Sequence, residues 1–489
     1  MRRRHRDRDT GFTDLHPAET VHDPHVGHAE PAPGHSGDFL EDGQNHLLVS
    51  LVLKMADRLP GIVVSNHAGE DTKSPILRPG LRQGGDIDDL PGHTHPRAIA
   101  RTAGQGLPVR CANRDFFCGH GLVPEAIISL MRAVAVRPGT PNSLHIRNDV
   151  PEPVPKPYEA VVRVHSAGFC ATDLDLHQGL IGRAPEGSDY LVIGHENLGV
   201  VEHAPPGAKV KPGDLVISTL RRACGDYCRP CLTGEQDMCV TGNFEERGIV
   251  GLHGFMSDAY AEDTSYLVKV PSQLIETATL VEPLSILEKG IDHAMRIQSR
   301  FSWEPRKALV MGAGPVGILG AAALRMRGYD VIVASLEAEG GRKDKLLAEA
   351  GIRYVCVKTT SIAEITRGQD AQDIVIDASG SEQAVPAAIE ALAHGGICIL
   401  ASVTRGSKAI TLDIATMNRN IVLGNRVILG TVKAGRRHFE MAVRDLETIE
   451  MRHPGWLSNL ITRRLPFDQA LSAMTRAPEE IKTVLRFGL

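Results

Sequence analysis

The segment ALVMGAGPVGILGAAALRM, from Ala308 to Met326, constrains the fold of this chain more than any other feature. It has the pattern of a short apolar strand, a glycine-rich turn and a helix, and a second strand, DVIVAS, follows at Asp330. Further strand patterns, YVCV, DIVIDAS, GICILAS and VILGTV, continue the alternation to Val432. Strands and helices that alternate in this way form a parallel sheet covered by helices. The sequence therefore predicts an α/β fold with a doubly wound parallel sheet.

The turn after the first of these strands contains G-x-G-x-x-G. The first glycine permits a tight turn, the second lets the backbone approach a pyrophosphate, and the third lets the helix pack on the strand. Free N–H groups at the start of the helix can then bind phosphate. The predicted dinucleotide-binding residues of this turn are Gly312, Gly314, Val316 and Gly317.

The end of the second strand bears on the choice between NAD and NADP. Glu337 lies about 20 residues after Gly317, where a carboxylate accepts hydrogen bonds from ribose hydroxyls and favours NAD. Ser335 is expected to help bind the ribose. Arg342 and Lys343 follow closely and could instead bind a 2′-phosphate, so both cofactors stay open, with NAD preferred.

The first 130 residues have a different character. They hold more than half of the 21 histidines, among clusters of Gly, Pro, Asp and Arg without period 2 or 3.6. Such a segment buries too little apolar surface to offset its chain entropy. We expect residues 1–130 to be a disordered extension, or upstream sequence translated from an early start codon, rather than a histidine-rich metal-binding tail.

The patterned chain begins at Met131 and divides into three parts. Residues 131–300 contain short strands broken by Gly and Pro, which is typical of a small β-barrel. Residues 301–435 contain the parallel sheet. Residues 436–489 contain helices and two short strands, LITRRLPF and IKTVLRF.

Composition excludes several classes of function. A net charge of -5 over 489 residues opposes a broad nucleic-acid surface. The longest uncharged apolar run, Ala308–Leu324, is shorter than the roughly 20 residues that span a bilayer. The segment after Met1, RRRHRDRD, leads into no apolar stretch of a signal peptide. We therefore expect a cytoplasmic protein that acts on a small molecule and binds neither membrane nor nucleic acid.

Four of the nine cysteines form C-x3-C-x2-C-x7-C in one short loop. In a large intracellular protein this spacing indicates metal rather than disulfides. Four thiolates close a tetrahedral shell with no open position, as in structural zinc sites. The predicted ligands are Cys224, Cys228, Cys231 and Cys239.

A second set of metal ligands is spread along the chain. Each member lies at a strand end or a turn, and together they offer one soft and several harder donors, which fits a catalytic zinc with a position left for substrate. Asp173 could orient the imidazole of His195, the one histidine in this set. The set comprises Cys170 in GFCATD, His195 and Glu196 in IGHE, and Glu282 in VEPLS.

Residues 131–489 resemble the zinc-dependent medium-chain dehydrogenases. The resemblance rests on GFCATDLDLHQG, IGHENLGVVE, the cysteine loop, GAGPVG and DIVIDASG, in that order. Further segments are similar to the glucose dehydrogenase branch: DMCVTGNFEERGIVGLHGFMSDAY, VEPLSILEKGID, GTVKAGRRHFEMAVRDL and WLSNLITRRLPF. The resemblance implies a GroES-like β-barrel catalytic domain, a Rossmann domain, and a C-terminal segment that returns to the catalytic domain.

The resemblance also implies roles for individual residues. Cys170, His195 and Glu196 match the catalytic zinc motif, and Glu282 matches a carboxylate near that zinc. Thr172 matches the hydroxyl of a proton relay. Glu246 matches an acidic residue that contacts sugar hydroxyls. A homodimer or homotetramer is also implied.

The chain departs from the family pattern at three positions. The first cysteine interval has three residues instead of two, Leu220 replaces an Asn, and Lys433 replaces an Asn on the substrate side. The expected activity is zinc-dependent hydride transfer from a polyol or aldose hydroxyl to NAD or NADP. Two alternatives stay open: the same chemistry on another secondary alcohol or an amino-alcohol such as threonine, and a nucleotide-binding protein without turnover.

Overall fold

The computed structural model describes residues 129–404, 409–475, 477 and 479–488. The predicted extension, residues 1–130, lies outside the described residues except for Ser129 and Leu130. Within the described part, no helix is both long and apolar enough to cross a membrane.

The described chain opens with a small antiparallel sheet in the order β2–β1–β4. A turn that contains Pro138 and Gly139 connects the first two strands, and Gly139 has a φ of +76°, which glycine adopts without steric cost. The segment MRAVAVRPGTPNSLHI, with a Pro-Gly pair between two apolar runs, forms this hairpin. The strands are β1 (Leu130–Val136), β2 (His145–Pro151) and β4 (Leu191–Val192).

A seven-stranded sheet follows, in the order β10–β6–β5–β3–β18–β17, with β9 also paired to β3. Its last two strands come from the end of the chain, and Val484 pairs with Gly168 of β3. The C-terminal segment therefore completes a sheet that the earlier strands begin. The strands are β3 (Glu159–Phe169), β5 (Glu196–His203), β6 (Leu215–Ser218), β9 (Ala259–Asp263), β10 (Leu267–Lys269), β17 (Ile461–Pro466) and β18 (Lys482–Arg486). A separate parallel pair is formed by β7 (Glu246–Arg247) and β8 (Gly251–Leu252).

The third sheet has six parallel strands in the order β13–β12–β11–β14–β15–β16. The strand order reverses direction between β11 and β14, which is where open α/β sheets bind ligands. The predicted doubly wound parallel sheet is confirmed. The strands are β11 (Lys307–Met311), β12 (Asp330–Ser335), β13 (Arg353–Cys356), β14 (Gln372–Asp377), β15 (Leu392–Leu400) and β16 (Val427–Gly430).

Helices connect and cover these sheets. They are α1 (Ala171–His177), α2 (Arg229–Leu232), α3 (Val281–Gln298), α4 (Pro315–Met326), α5 (Arg342–Glu349), α6 (Ile362–Ile365), α7 (Ala384–Glu390), α8 (Ile414–Leu423), α9 (Arg436–Arg452) and α10 (Trp456–Leu460).

Helix α3 connects the two larger sheets. Leu284, Leu287, Ile291 and Ala294 recur at intervals of three and four residues and are almost fully buried, which gives the helix one apolar face. The helix packs against α4, α9, β5 and β15. Each buried leucine contributes about 1.5–3 kcal/mol to stability. This packing fixes the first turn of α3, which holds Glu282.

Candidate active site

The first cluster of donor atoms lies where β3 ends and β5 begins. Gly168 faces Glu196 in this antiparallel pair, so the residues just beyond them meet at one edge. Sγ of Cys170, which caps α1, lies 3.0 Å from Nε2 of His195. Gly194, just before His195, has a φ of +92°, a conformation that glycine adopts without steric cost.

Glu282 joins the same cluster from α3. One donor atom each from His195, Glu196 and Glu282 lie within 4.8 Å of one another, as do donor atoms of Cys170, Asp173 and His195. All of these side chains are buried except Cys170, which is half-buried. Three separate elements of the fold thus bring the four predicted ligands into two groups that share His195.

The donor set fits zinc, because a thiolate, an imidazole and carboxylates can occupy three positions and leave a fourth for substrate. Burial lowers the pKa of His195, but Cys170 and Asp173 outweigh burial and raise it to about 10. The cluster therefore attracts positive charge at this imidazole. Nδ1 of His195 and Oδ1 of Asp173 lie 3.7 Å apart, and neither atom has a hydrogen-bond partner in the described part of the chain.

Backbone donors at the start of α1 hold the thiol and its neighbours. The amide of Cys170 donates to Oδ2 of Asp173 at 2.8 Å, and the amide of Thr172 donates to Sγ of Cys170 at 3.2 Å. Asp173 thereby lies at Nδ1 of His195, whereas Cys170 contacts Nε2, so Asp173 can orient the imidazole. Thr172 lies beside the cluster, and its role in a proton relay stays a prediction.

Glu196 has a partner that the sequence did not indicate. The ammonium of Lys482, on β18, pairs with the Glu196 carboxylate, and both side chains are 1% exposed. An ideal Cβ on Gly168 would lie 1.9 Å from Oε2 of Glu196, so only glycine fits beneath the pair. Burial raises the pKa of Glu196, and Lys482 opposes that rise. The available signal was a lysine within the apolar strand pattern IKTVLRF.

Glu246 and Lys433, both predicted to face the substrate, lie together. Oε2 of Glu246 is 3.5 Å from Nζ of Lys433, and its Oε1 accepts from Nε of Arg221 at 2.8 Å. Arg221 stacks 3.6 Å from the ring centre of Phe244 and was not predicted. Its neighbour Leu220 is 1% exposed and places an apolar side chain in the core.

The four cysteines of the short loop converge on one point. Their sulfur atoms lie within 4.8 Å of one another, and all four are free thiols. Sγ of Cys228 is 3.8 Å from Sγ of Cys239, and the amide of Cys224 donates to Sγ of Cys231 at 3.4 Å. Tyr227 adopts a φ of +53°, and this left-handed residue accommodates the longer first interval. The donors fit a closed four-thiolate zinc shell.

The glycines of the dinucleotide turn differ in what surrounds them. A Cβ added to Gly312 would lie 2.8 Å from the carbonyl oxygen of Ala378. A Cβ added to Gly317 would lie 2.0 Å from the carbonyl oxygen of Gly312. Nothing lies within 4 Å of the same position at Gly314, which caps α4. Packing therefore requires two of the glycines, whereas the third leaves space for a phosphate at the helix start. Val316 is half-buried in the first turn of α4.

The carboxylate of Glu337 is also paired. It accepts from the Ser335 hydroxyl at 2.6 Å and from the ammonium of Lys343. Arg342 points elsewhere, with its Nη2 3.4 Å from the carbonyl oxygen of Asn459. The structure thus separates the two basic residues that the sequence treated as one pair.

Comparison with known families supports this architecture. Residues 156–272 match the family described as alcohol dehydrogenase GroES-like domain. Residues 275–487 match the family described as glucose dehydrogenase C-terminus. These matches confirm the predicted fold class of a GroES-like domain followed by a dinucleotide-binding sheet.

Individual proteins are similar over the same region. The chain is 40% identical over 359 residues to glucose 1-dehydrogenase of Methanocella arvoryzae, a match that covers 73% of this chain and 100% of the relative. It is 39% identical over 360 residues to glucose 1-dehydrogenase 1 of Caldivirga maquilingensis, covering 73% and 99%. The solved structure of Haloferax mediterranei glucose dehydrogenase in complex with NADP, Zn and gluconolactone matches with a TM-score of 0.68 and 30% identity, covering 73% and 100%.

Loss of a ligand should have different consequences in the four-cysteine cluster and in the cluster around His195. Cys228→Ser should remove one metal ion per chain and lower the melting temperature by at least about 5 °C, because a closed structural shell contributes folding energy. His195→Ala should abolish the expected dehydrogenase activity with a smaller thermal shift. Metal analysis and calorimetry test both. Cys398→Ser, at a thiol outside both clusters, is the control and should keep both ions; a wild type without zinc would contradict the assignment.

The buried pair of Lys482 and Glu196 predicts a stability cost. Lys482→Met should destabilise the protein by about 3–5 kcal/mol, because it leaves a buried carboxylate without its cation. Adding Glu196→Gln should recover most of that loss, since both charges are then gone. Chemical denaturation of the two variants measures the effect. Equal stability of Lys482→Met and wild type would show that the pair is not needed.

Proposed function

Because the chain belongs to the zinc-dependent medium-chain dehydrogenases, in the glucose 1-dehydrogenase branch, we propose that it oxidises a polyol or aldose hydroxyl with NAD or NADP. The observation that carries this proposal is that two groups of donor atoms, Cys170 with Asp173 and His195, and His195 with Glu196 and Glu282, meet at His195. Similarity to glucose 1-dehydrogenases over their full length supports the sugar-like substrate.

The packing of α3 on α4 supports the joint use of metal and nucleotide. An ideal Cβ on Gly320 would lie 2.0 Å from Cδ1 of Leu287, so the two helices are in close contact. Leu287 lies five residues after Glu282, and Gly320 lies three residues after Gly317. The metal-ligating turn and the phosphate-binding turn are therefore held by one helix pair.

Each residue of the site would have a separate role in the reaction. Zinc lowers the pKa of a hydroxyl group that it contacts, and nicotinamide accepts hydride from the carbon that bears that hydroxyl. Cys170, His195 and Glu282 would hold the metal, whereas Glu196, also predicted as a ligand, is paired with Lys482. Asp173 would orient the imidazole of His195, and Thr172 would pass the hydroxyl proton outward. The product is an aldehyde, a ketone or, from the cyclic form of an aldose, a lactone.

Glu246 and Lys433 would contact the remaining hydroxyl groups. A carboxylate accepts hydrogen bonds and an ammonium donates them, so the pair can bind a chain of hydroxyls from both sides. Arg221 pairs with the buried Glu246 carboxylate, and Lys433, with 19% of its side chain exposed, faces the same carboxylate. These contacts would select a polyhydroxylated substrate over a simple alcohol.

We also propose a homodimer or homotetramer in the cytoplasm. β16 is the edge strand of the parallel sheet, and Ile428 on it is 42% exposed. Exposed apolar edge strands favour pairing with a second chain. Other exposed apolar side chains in this stretch of the sequence are Ile414, Val422, Leu423 and Val432. The free cysteines of the described residues are typical of a reducing compartment.

A substrate screen tests the proposed activity directly. Purified full-length protein with zinc should reduce NAD or NADP in the presence of aldoses or polyols, measured by nicotinamide absorbance. We expect kcat/KM for the best sugar to exceed that for simple secondary alcohols by at least about tenfold, or 1.4 kcal/mol. A preference for an amino-alcohol or a simple alcohol would support the alternative dehydrogenase, and no turnover would contradict both.

Cofactor choice should depend on Lys343 and not on Arg342. Because Glu337 repels a 2′-phosphate, we expect wild type to prefer NAD, with Lys343 as the cation that permits NADP. Lys343→Ala should lower kcat/KM for NADP relative to NAD by about tenfold. Arg342→Ala is the matched control and should leave the ratio unchanged. The reverse outcome, with only Arg342→Ala altering the ratio, would refute this account of the pocket.

A further inference from the structure

A buried ion pair joins the cysteine loop to helix α3. Oδ2 of Asp237 lies 2.8 Å from Nζ of Lys289, and the two side chains are 5% and 4% exposed. Removing two charges from water costs free energy that their attraction does not reliably return. A pair of this kind is therefore better explained by the position it imposes than by stability alone.

Asp237 belongs to the cysteine loop. It lies in a short 3-10 turn, Gln236–Met238, which directly precedes Cys239. Its carbonyl oxygen accepts from Nη1 of Arg221 at 3.2 Å. Arg221 is the residue whose Nε holds Glu246, so the loop touches the proposed substrate-binding carboxylate through a single side chain.

Lys289 lies on the same helix as the proposed zinc ligand Glu282. The two residues are two turns apart, so they project from nearly the same face and are separated by about 10 Å along the axis. Nζ of Lys289 also donates to the carbonyl oxygen of Val432 at 3.2 Å. The next residue, Lys433, has a φ of +56° and contacts Glu246, which closes a ring of contacts.

The carboxylate of Asp237 is packed without spare room. An ideal Cβ on Gly435 would lie 2.7 Å from its Oδ1, and Gly435 caps α9. The carboxylate thus rests against the backbone that follows Lys433. A displacement of Asp237 would therefore also displace the backbone of the segment 431–435.

We propose that Asp237 and Lys289 are positioning residues that couple metal loading of the cysteine loop to substrate binding. Metal in the loop sets the position of Asp237; Asp237 then positions Lys289 and Arg221, and these position Lys433 and Glu246. This inference rests on the proposed function, since it assigns substrate contacts to Lys433 and Glu246. It implies that the loop metal controls substrate affinity and leaves cofactor affinity unchanged.

The test compares loss of the loop metal in three backgrounds. The backgrounds are wild type, the double variant Asp237→Asn/Lys289→Met, and Glu288→Gln. Glu288 is the matched control, because it is adjacent to Lys289, fully buried and paired, but its partner is Arg327 rather than the loop. Cys228→Ser removes the loop metal in each background, and metal analysis verifies its loss.

In wild type, Cys228→Ser should raise KM for the sugar by about tenfold, with KM for the nicotinamide changed less than about twofold. The double variant should have the raised KM for the sugar even with its loop metal in place. Adding Cys228→Ser to the double variant should not raise this KM further. In Glu288→Gln the full effect should remain. Equal effects of Cys228→Ser in all three backgrounds, or none, would overturn the proposal.

Amide hydrogen exchange provides a readout that does not need turnover. In the double variant, residues 431–435 should exchange faster than in wild type although both metal ions are retained, and in Glu288→Gln they should not. Unchanged exchange there would refute the coupling even if Cys228→Ser fails to fold. If the wild type oxidises no hydroxyl substrate, the proposed function fails, and hydrogen exchange alone decides whether Asp237 and Lys289 hold this segment.

Discussion

The pairing of β3 with β5 on one side and with β18 on the other is the constraint on which the site depends. Cys170 follows β3, Glu196 begins β5 and Lys482 begins β18. A shift of one residue in either pairing would turn every following side chain to the opposite face. Gly168 on β3 lies opposite Glu196 on β5 and Val484 on β18, and the space around it has no room for a side chain. Backbone hydrogen bonds thus align the thiol, the imidazole and the buried ion pair.

Helix α3 extends this alignment to the rest of the molecule. Its first turn places Glu282 among the donor atoms around His195, Leu287 packs against α4, and Lys289 contacts the cysteine loop. The apolar face that buries the helix also keeps these three positions in a fixed relation, because a packed helix moves as one body. A single element therefore contacts the donor atoms around His195, helix α4 and the cysteine loop.

Carboxylates near the site are neutralised by cations from distant parts of the chain. Lys482 pairs with Glu196, Arg221 and Lys433 with Glu246, and Lys343 with Glu337. A buried carboxylate without such a partner tends to bind a proton. Pairing opposes the cost of burial and holds these groups in one orientation. The sequence identified the three carboxylates and Lys433, but it named neither Lys482 nor Arg221.

Local sequence patterns alone were sufficient to predict the features that form within short stretches of the chain. The glycine turn, the alternation of strands and helices and the four-cysteine loop each depend on neighbours a few residues apart, so their spacing is already visible in the sequence. Lys482 and Glu196 are 286 residues apart, and no periodicity relates them. Only the tertiary structure decided that Lys482 meets Glu196, that Arg342 turns away from Glu337, and that Asp237 reaches Lys289. The reason is physical: strand register and helix packing are set by burial of the whole core, and the sequence around any one of these residues does not contain that information.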